Sequence, residues 1–139
     1  SEAELVGARR AGVGAGSGSG GGSGSGGGQP CDMVRRLQGA LRGDPEVRAA
    51  VAEAHRARAG KATLVWNGDW LRTPGQEGKG LAGVRQAIIM EVAFAPEACR
   101  AEPMAGLVLI SMSDGPGAAR LVMGTGRWRW GDLLAARRR

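Results

Sequence analysis

The chain has 139 residues, a formal charge of +6 and 26 glycines, far above the ordinary glycine level of about 7 %. No apolar run approaches the roughly 20 residues a membrane-spanning helix needs. Nearly all the basicity is arginine, and Arg137, Arg138 and Arg139 supply half the net excess at one chain end, so the charge does not point to a nucleic-acid partner.

The glycines are concentrated. Residues 1–15 (SEAELVGARRAGVGA) form a peptide with too little apolar surface to fold alone. Residues 16–28 read GSGSGGGSGSGGG, without charge or apolar side chain, so nothing offsets the entropy of ordering them. The near-perfect alternation reads as an engineered Gly/Ser linker. A tether of this length gives millimolar effective concentration, so residues 1–15 are expected to act as a tethered partner segment, with Leu5 and Val6 as anchors and Arg9 and Arg10 beside them. Residues 29–139 are then a domain of ordinary single-domain size.

In chain order, residues 31–41 place Met33 or Val34, Leu37 and Leu41 at helical spacing, with Arg35 and Arg36 on the other side. Asp44-Pro45-Glu46 is a helix start, with a capping acceptor, a proline at the first position and an acid in the first turn. Val47, Val51 and Ala54 carry that helix toward Gly60. The period changes at 61–66, where Ala62, Leu64 and Trp66 alternate with Thr63 and Val65 as in a strand. Asn67-Gly68 is a hairpin signal, with residues 69–71 as a short return, and 73–80 is a loop. A third helix, amphipathic, is expected over 81–95, with Leu81, Val84, Ile88, Val92 and Ala95 on one face and Pro96 as its stop. Strands are expected over 107–113 and from 120 toward 130, joined by Asp114-Gly115-Pro116-Gly117. The order α-α-β-α-β-β predicts an α+β fold, a small antiparallel sheet with helices packed on one face.

Cys31 and Cys99 are flanked by Pro30 and Pro96, in turn-like rather than core-like settings. Their pairing in a disulfide is expected, and with it an oxidising, periplasmic or secreted location. Catalytic patterns are sparse. The single histidine, His55, lies among Ala, Glu and Arg on a helix. Asp69, Glu77 and Asp114 are acids in turn-like stretches, and they are the only basis for the alternative of a small hydrolase that uses Asp and Glu on the peptide. No catalytic residue, metal site or cofactor is assigned.

The four tryptophans fall in two pairs, Trp66 with Trp70 and Trp128 with Trp130. Trp128 and Trp130 share one face of a strand and Arg127 and Arg129 the other. Trp and Arg dominate binding hot spots, so these four are the candidate peptide-binding residues, on what is expected to be the open edge of the last strand. A core role is the other reading of the same pattern.

Phe94-Ala95-Pro96-Glu97-Ala98, Gly106-Leu107-Val108-Leu109, Asp114-Gly115 and Gly124-Thr125-Gly126 together resemble the middle of the TonB C-terminal domain family. The resemblance implies a periplasmic domain that binds partner segments by strand addition and transfers no catalytic residue. The whole domain also looks like envelope-protein domains of unassigned function from GC-rich Gram-negative bacteria. The sequence thus predicts a non-enzymatic envelope domain that binds a short protein segment. A domain complemented by its own displaced strand is a further alternative.

Overall fold

The computed structural model describes residues 31–71 and 81–135. The expected tether, the anchors Leu5, Val6, Arg9 and Arg10, and Glu77 lie outside them. Four α-helices are described: α1 (Met33–Arg42), α2 (Pro45–Ala57), α3 (Leu81–Ala93) and the single turn α4 (Glu97–Arg100). The strands are β1 (Thr63–Trp66), β2 (Pro103–Ser111) and β3 (Arg120–Arg129), and a 3-10 helix follows at Trp130–Leu134.

The helix starts follow from their caps. The Asp32 carboxylate accepts from the Arg35 backbone N–H at 3.1 Å to open α1. That of Asp44 accepts from Glu46 and Val47 at 3.0 and 3.3 Å, with Pro45 in the first turn of α2. Each bond satisfies an amide the helix itself leaves unpaired. On α3, Val84, Ile88 and Val92 are buried as their spacing predicts.

The architecture is α+β, with helices on one sheet face, but the sheet is mixed rather than antiparallel. Its order is β1-β3-β2. β2 and β3 form the expected antiparallel hairpin. β1 runs parallel to β3, pairing Thr63 with Leu121 and Leu64 with Val122. A parallel partner requires a crossover, and here α3, α4 and β2 all intervene between β1 and β3. The Asn67-Gly68 turn does double back, but only into a single bridge between Trp66 and Trp70. β2 also begins earlier than expected, at Pro103, because Gly106 sits at a bulge instead of ending the strand.

α1, α2 and α3 bury Leu37, Leu41, Val51, Val84 and Ile88 against Val108, Ile110, Leu121 and Met123 of the sheet. The Cys31–Cys99 disulfide, with Cα atoms 5.3 Å apart, ties the entry of α1 to α4. It closes a loop across 68 positions, a constraint on the unfolded chain that contributes roughly 4 kcal/mol in the chain-entropy model.

Candidate segment-binding face and edge

The expected binding strand is not an edge. β3 lies between β1 and β2, which corrects the placement of an open edge at residues 118–130. A last strand becomes central when an earlier strand docks beside it, and β1 does so here.

Trp128 and Trp130 accordingly lie in the core, 4 % and 0 % exposed. The rings of Trp66 and Trp128 are 5.3 Å apart, and those of Trp128 and Trp130 meet edge to face at 4.7 Å. The indole N–H of Trp128 donates to the Gly106 carbonyl at 2.8 Å, and that of Trp70 to the Leu133 carbonyl at 3.1 Å. Arg127 and Arg129 are exposed. Since Trp128 points toward the helices, alternation turns both arginines to the opposite face of the sheet. Of the four candidate residues, two build the core and two reach solvent.

The opposite face is apolar at its centre. Val108 and Ile110 of β2, and Leu121 and Met123 of β3, join the helix-side core, so the residues between them point the other way. These form a separate cluster of Ala62, Leu109 and Val122, with the partly buried Leu107 against it. Leu64 pairs with Val122 on the same face and is 38 % exposed. Leu109 and Val122 are only 1 % and 3 % exposed. Among the described residues, no helix joins this cluster.

Cations border the patch. The Arg58 Nε donates to the Ala62 carbonyl at 3.0 Å, and Arg120, on the same side of β3 as Val122, donates to the Gly60 carbonyl at 3.2 Å. Arg127 and Arg129 lie further along β3.

The outer edge of β2 adds a second feature. The Met112 N–H bonds the Ala119 carbonyl, which fixes the phase of the ladder: Ser111, Leu109 and Leu107 turn their N–H and C=O groups away from β3. Helix α1 meets the first of these. The Ser111 N–H donates to Gln38 Oε1 and the Ser111 carbonyl accepts from Arg42 Nε, both at 2.9 Å. For Leu107 and Leu109 no such partner is found among the described residues.

The remaining sequence candidates are dispersed. Asp69 and Asp114 stand in turns at opposite ends of β1, and Asp114 is almost fully exposed, 3.3 Å from Arg42. The buried Nδ1 of His55 has no hydrogen-bond partner among the described residues. Near Arg42 and Arg120 lies a polar cavity of about 570 Å³, lined also by Gln38, Ser113 and the 115–118 turn.

Leu64, Leu107, Leu109 and Val122 were not singled out as site residues by sequence reasoning. A signal was present: residues 107–110 and 121–123 are apolar without alternation, the pattern of strands buried on both faces. No protein-family model, curated protein or solved structure matches the chain.

Proposed function

We propose that residues 29–139 form a non-enzymatic protein-interaction domain that binds a short apolar segment of protein. The segment adds as a strand along the edge of β2 at Leu107 and Leu109, with alternate side chains turned toward the sheet face opposite the helices. The reading is supported by one observation above all: Leu109 and Val122 are buried on a face to which no described helix contributes. Outward-turned ladder groups at Leu107 and Leu109 offer main-chain hydrogen bonds, and the alternating side chains of an added strand would reach the apolar patch. Arg127 and Arg129 act as rim contacts, a role in which guanidinium groups set register and orientation more than affinity.

The Cys31–Cys99 disulfide supports an oxidising compartment, and among the described residues no helix is long and apolar enough to cross a membrane. We assign the domain to the periplasm or cell envelope, in keeping with its resemblance to TonB C-terminal domains.

The test is selection of short displayed peptides on a full-length chain whose residues 1–15 are replaced by a Gly/Ser repeat. Counter-selection uses the same chain carrying Leu64→Glu and Leu107→Glu, two sites with solvent access. Apolar-anchored peptides should enrich on the first and not on the second. No enrichment, or enrichment that survives both glutamates, overturns the reading.

A further inference from the structure

We propose that the polar cavity at one end of the sheet is a binding site for a small molecule that carries an oxyanion, either a carboxylate or a phosphate. The proposal does not depend on the segment-binding reading.

Topology assembles the walls. Ser111 ends β2, Arg120 opens β3, and Gly60 stands just ahead of β1. Because β1 runs parallel to β3 and β2 antiparallel to it, all three meet at the same end of the sheet. The C-terminal half of α1 brings Gln38 and Arg42 to this end, and the loop at residues 113–118 forms the remaining wall. The space between them is about 570 Å³, within the range of roughly 300–1,000 Å³ usual for small-molecule sites.

The lining selects the chemistry. It holds two arginines, Arg42 and Arg120, and one acid, Asp114. Gln38, Ser111 and Ser113 add neutral polar groups. Among the described residues, no aromatic side chain lines the space, and no aliphatic one larger than Pro116 does. A ligand there is held by charge and hydrogen bonds, not by apolar burial. The excess of cation over acid in a concave site favours an anion.

Both arginines are positioned in advance. Arg42 Nε donates to the Ser111 carbonyl at 2.9 Å, and Arg120 Nη2 to the Gly60 carbonyl at 3.2 Å. A neutral carbonyl fixes a guanidinium without cancelling its charge. Arg42 also shows what it accepts as a partner: its Nη2 lies 3.3 Å from a carboxylate oxygen of Asp114, whose side chain is 93 % exposed. Such an exposed pair contributes little. A guanidinium has further N–H donors to offer, and an oxyanion lodged between Arg42 and Arg120 gains charge-assisted contacts from both. Asp114 is therefore a weak internal competitor for the ligand's anionic group.

The test is an NMR titration of the intact, isotope-labelled chain with sodium phosphate and, separately, with sodium citrate, at constant ionic strength. The Nε–H signals of Arg42 and Arg120 and the amides of Ser113, Gly115 and Gly117 should shift together and saturate. Arg120→Gln should weaken binding about ten-fold or more, the effect of losing a charge-assisted hydrogen bond. Asp114→Asn should tighten it about three-fold or more, because the competing charge is gone. This second variant changes an exposed side chain, so the test stays decisive if Arg120→Gln fails to fold. Saturation by phosphate alone supports a phosphorylated ligand, and saturation by citrate alone a carboxylated one. No saturation by either probe at millimolar concentration overturns the proposal. Saturation that both variants leave unchanged reports an adventitious ion only and overturns it too. So does weaker binding in Asp114→Asn, since the acid would then be part of what holds the anion's partners in place.

Discussion

The indole N–H of Trp128 donates to the main-chain carbonyl of Gly106 at 2.8 Å, next to the bulge where β2 and β3 change register. Its neighbour Trp130 is fully buried, and its own indole nitrogen has no acceptor among the described residues. Two adjacent core tryptophans thus differ in one hydrogen bond. Trp128→Phe removes that bond and leaves the Gly106 carbonyl short of a partner, at an expected cost of about 1–3 kcal/mol in addition to lost packing. Trp130→Phe removes a donor already unpaired, so its cost is the cavity and lost contacts of the smaller ring alone, with no hydrogen-bond penalty added. Urea unfolding of the two variants should give the larger loss for Trp128→Phe, and the reverse order would contradict this assignment.

Gly124 makes a second case. A Cβ there would lie 2.3 Å from the Gly106 carbonyl oxygen and 2.9 Å from the Leu107 Cα, at a φ of +135°. Both obstacles are main chain, so no side-chain rotation relieves them. Gly124→Ala is expected to destabilise by about 3 kcal/mol or more, from strain and displacement of β2 together. Gly126→Ala is the control: nothing lies within 4 Å of its added Cβ, and its cost should stay near 0.5 kcal/mol. Thermal melts that place the two variants together would mean the strands separate more easily than the geometry allows.

These contacts mark how far local sequence reasoning reaches. Caps such as Asp44, the buried stripe of α3 and the turn between β2 and β3 are set by residues within a few positions of each other, and all are readable from the chain. The parallel seating of β1 on β3 is not, because Thr63 and Leu121 are far apart in sequence and nothing in either strand specifies a partner's direction. That one non-local choice made β3 central. It also decided the role of Trp128, since alternating Trp and Arg describes a buried strip and an exposed strip equally well. The same limit hid the hold of Gln38 and Arg42 on Ser111. By contrast, the unbroken apolar runs at 107–110 and 121–123 carried the second sheet face in plain view.

The disulfide is open to direct measurement. The denatured, unreduced chain should show no free thiol on titration, because Cys31 and Cys99 are bonded to each other. Replacing both with serine relaxes the loop they close and should lower stability by about 2–5 kcal/mol. Helix α1 should be affected most, since its entry is the element the bond fixes. Equal stability of the serine variant and the parent in denaturant titration would show that the remaining contacts of α1 hold it unaided. Those include the 3.2 Å ion pair of Arg36 with Glu91 on α3.

His55 separates a binding domain from an enzyme. It is the single histidine of the chain, and its buried Nδ1 makes no hydrogen bond among the described residues. It lies on α2, with its ring beside Gly60, and is not a member of the cluster around Leu109. His55→Ala should therefore leave peptide capture by the second face within about a factor of three, the range of substitutions that remove no specific contact. Stability should hold or rise slightly, since an unpaired buried nitrogen is removed. Loss of all capture by a variant that still unfolds cooperatively would move the functional site to α2.

The edge of β2 is guarded at one position by helix α1, through Gln38 on the Ser111 N–H and Arg42 on the Ser111 carbonyl. An unpaired edge invites pairing with another chain, and covering it is one way folds avoid that outcome. Gln38→Ala removes the acceptor and Arg42→Ala the donor. Each change should cost about 1 kcal/mol, the ordinary net value of a hydrogen bond, with Arg42 toward the upper end because its guanidinium is charged. Arg42 also contacts the exposed Asp114, but an exposed ion pair adds little, so Asp114→Ala should be nearly silent. The sharper expectation concerns exchange and association. With Gln38 gone, the Ser111 amide should lose hydrogen-exchange protection while Ile110, bonded within the hairpin, keeps its own. The double Gln38→Ala, Arg42→Ala chain should self-associate at concentrations where the parent is monodisperse, because three successive outward positions, Leu107, Leu109 and Ser111, then lack the cover of α1. Retained protection at Ser111 in Gln38→Ala would mean that α1 is not what closes this end of the strand.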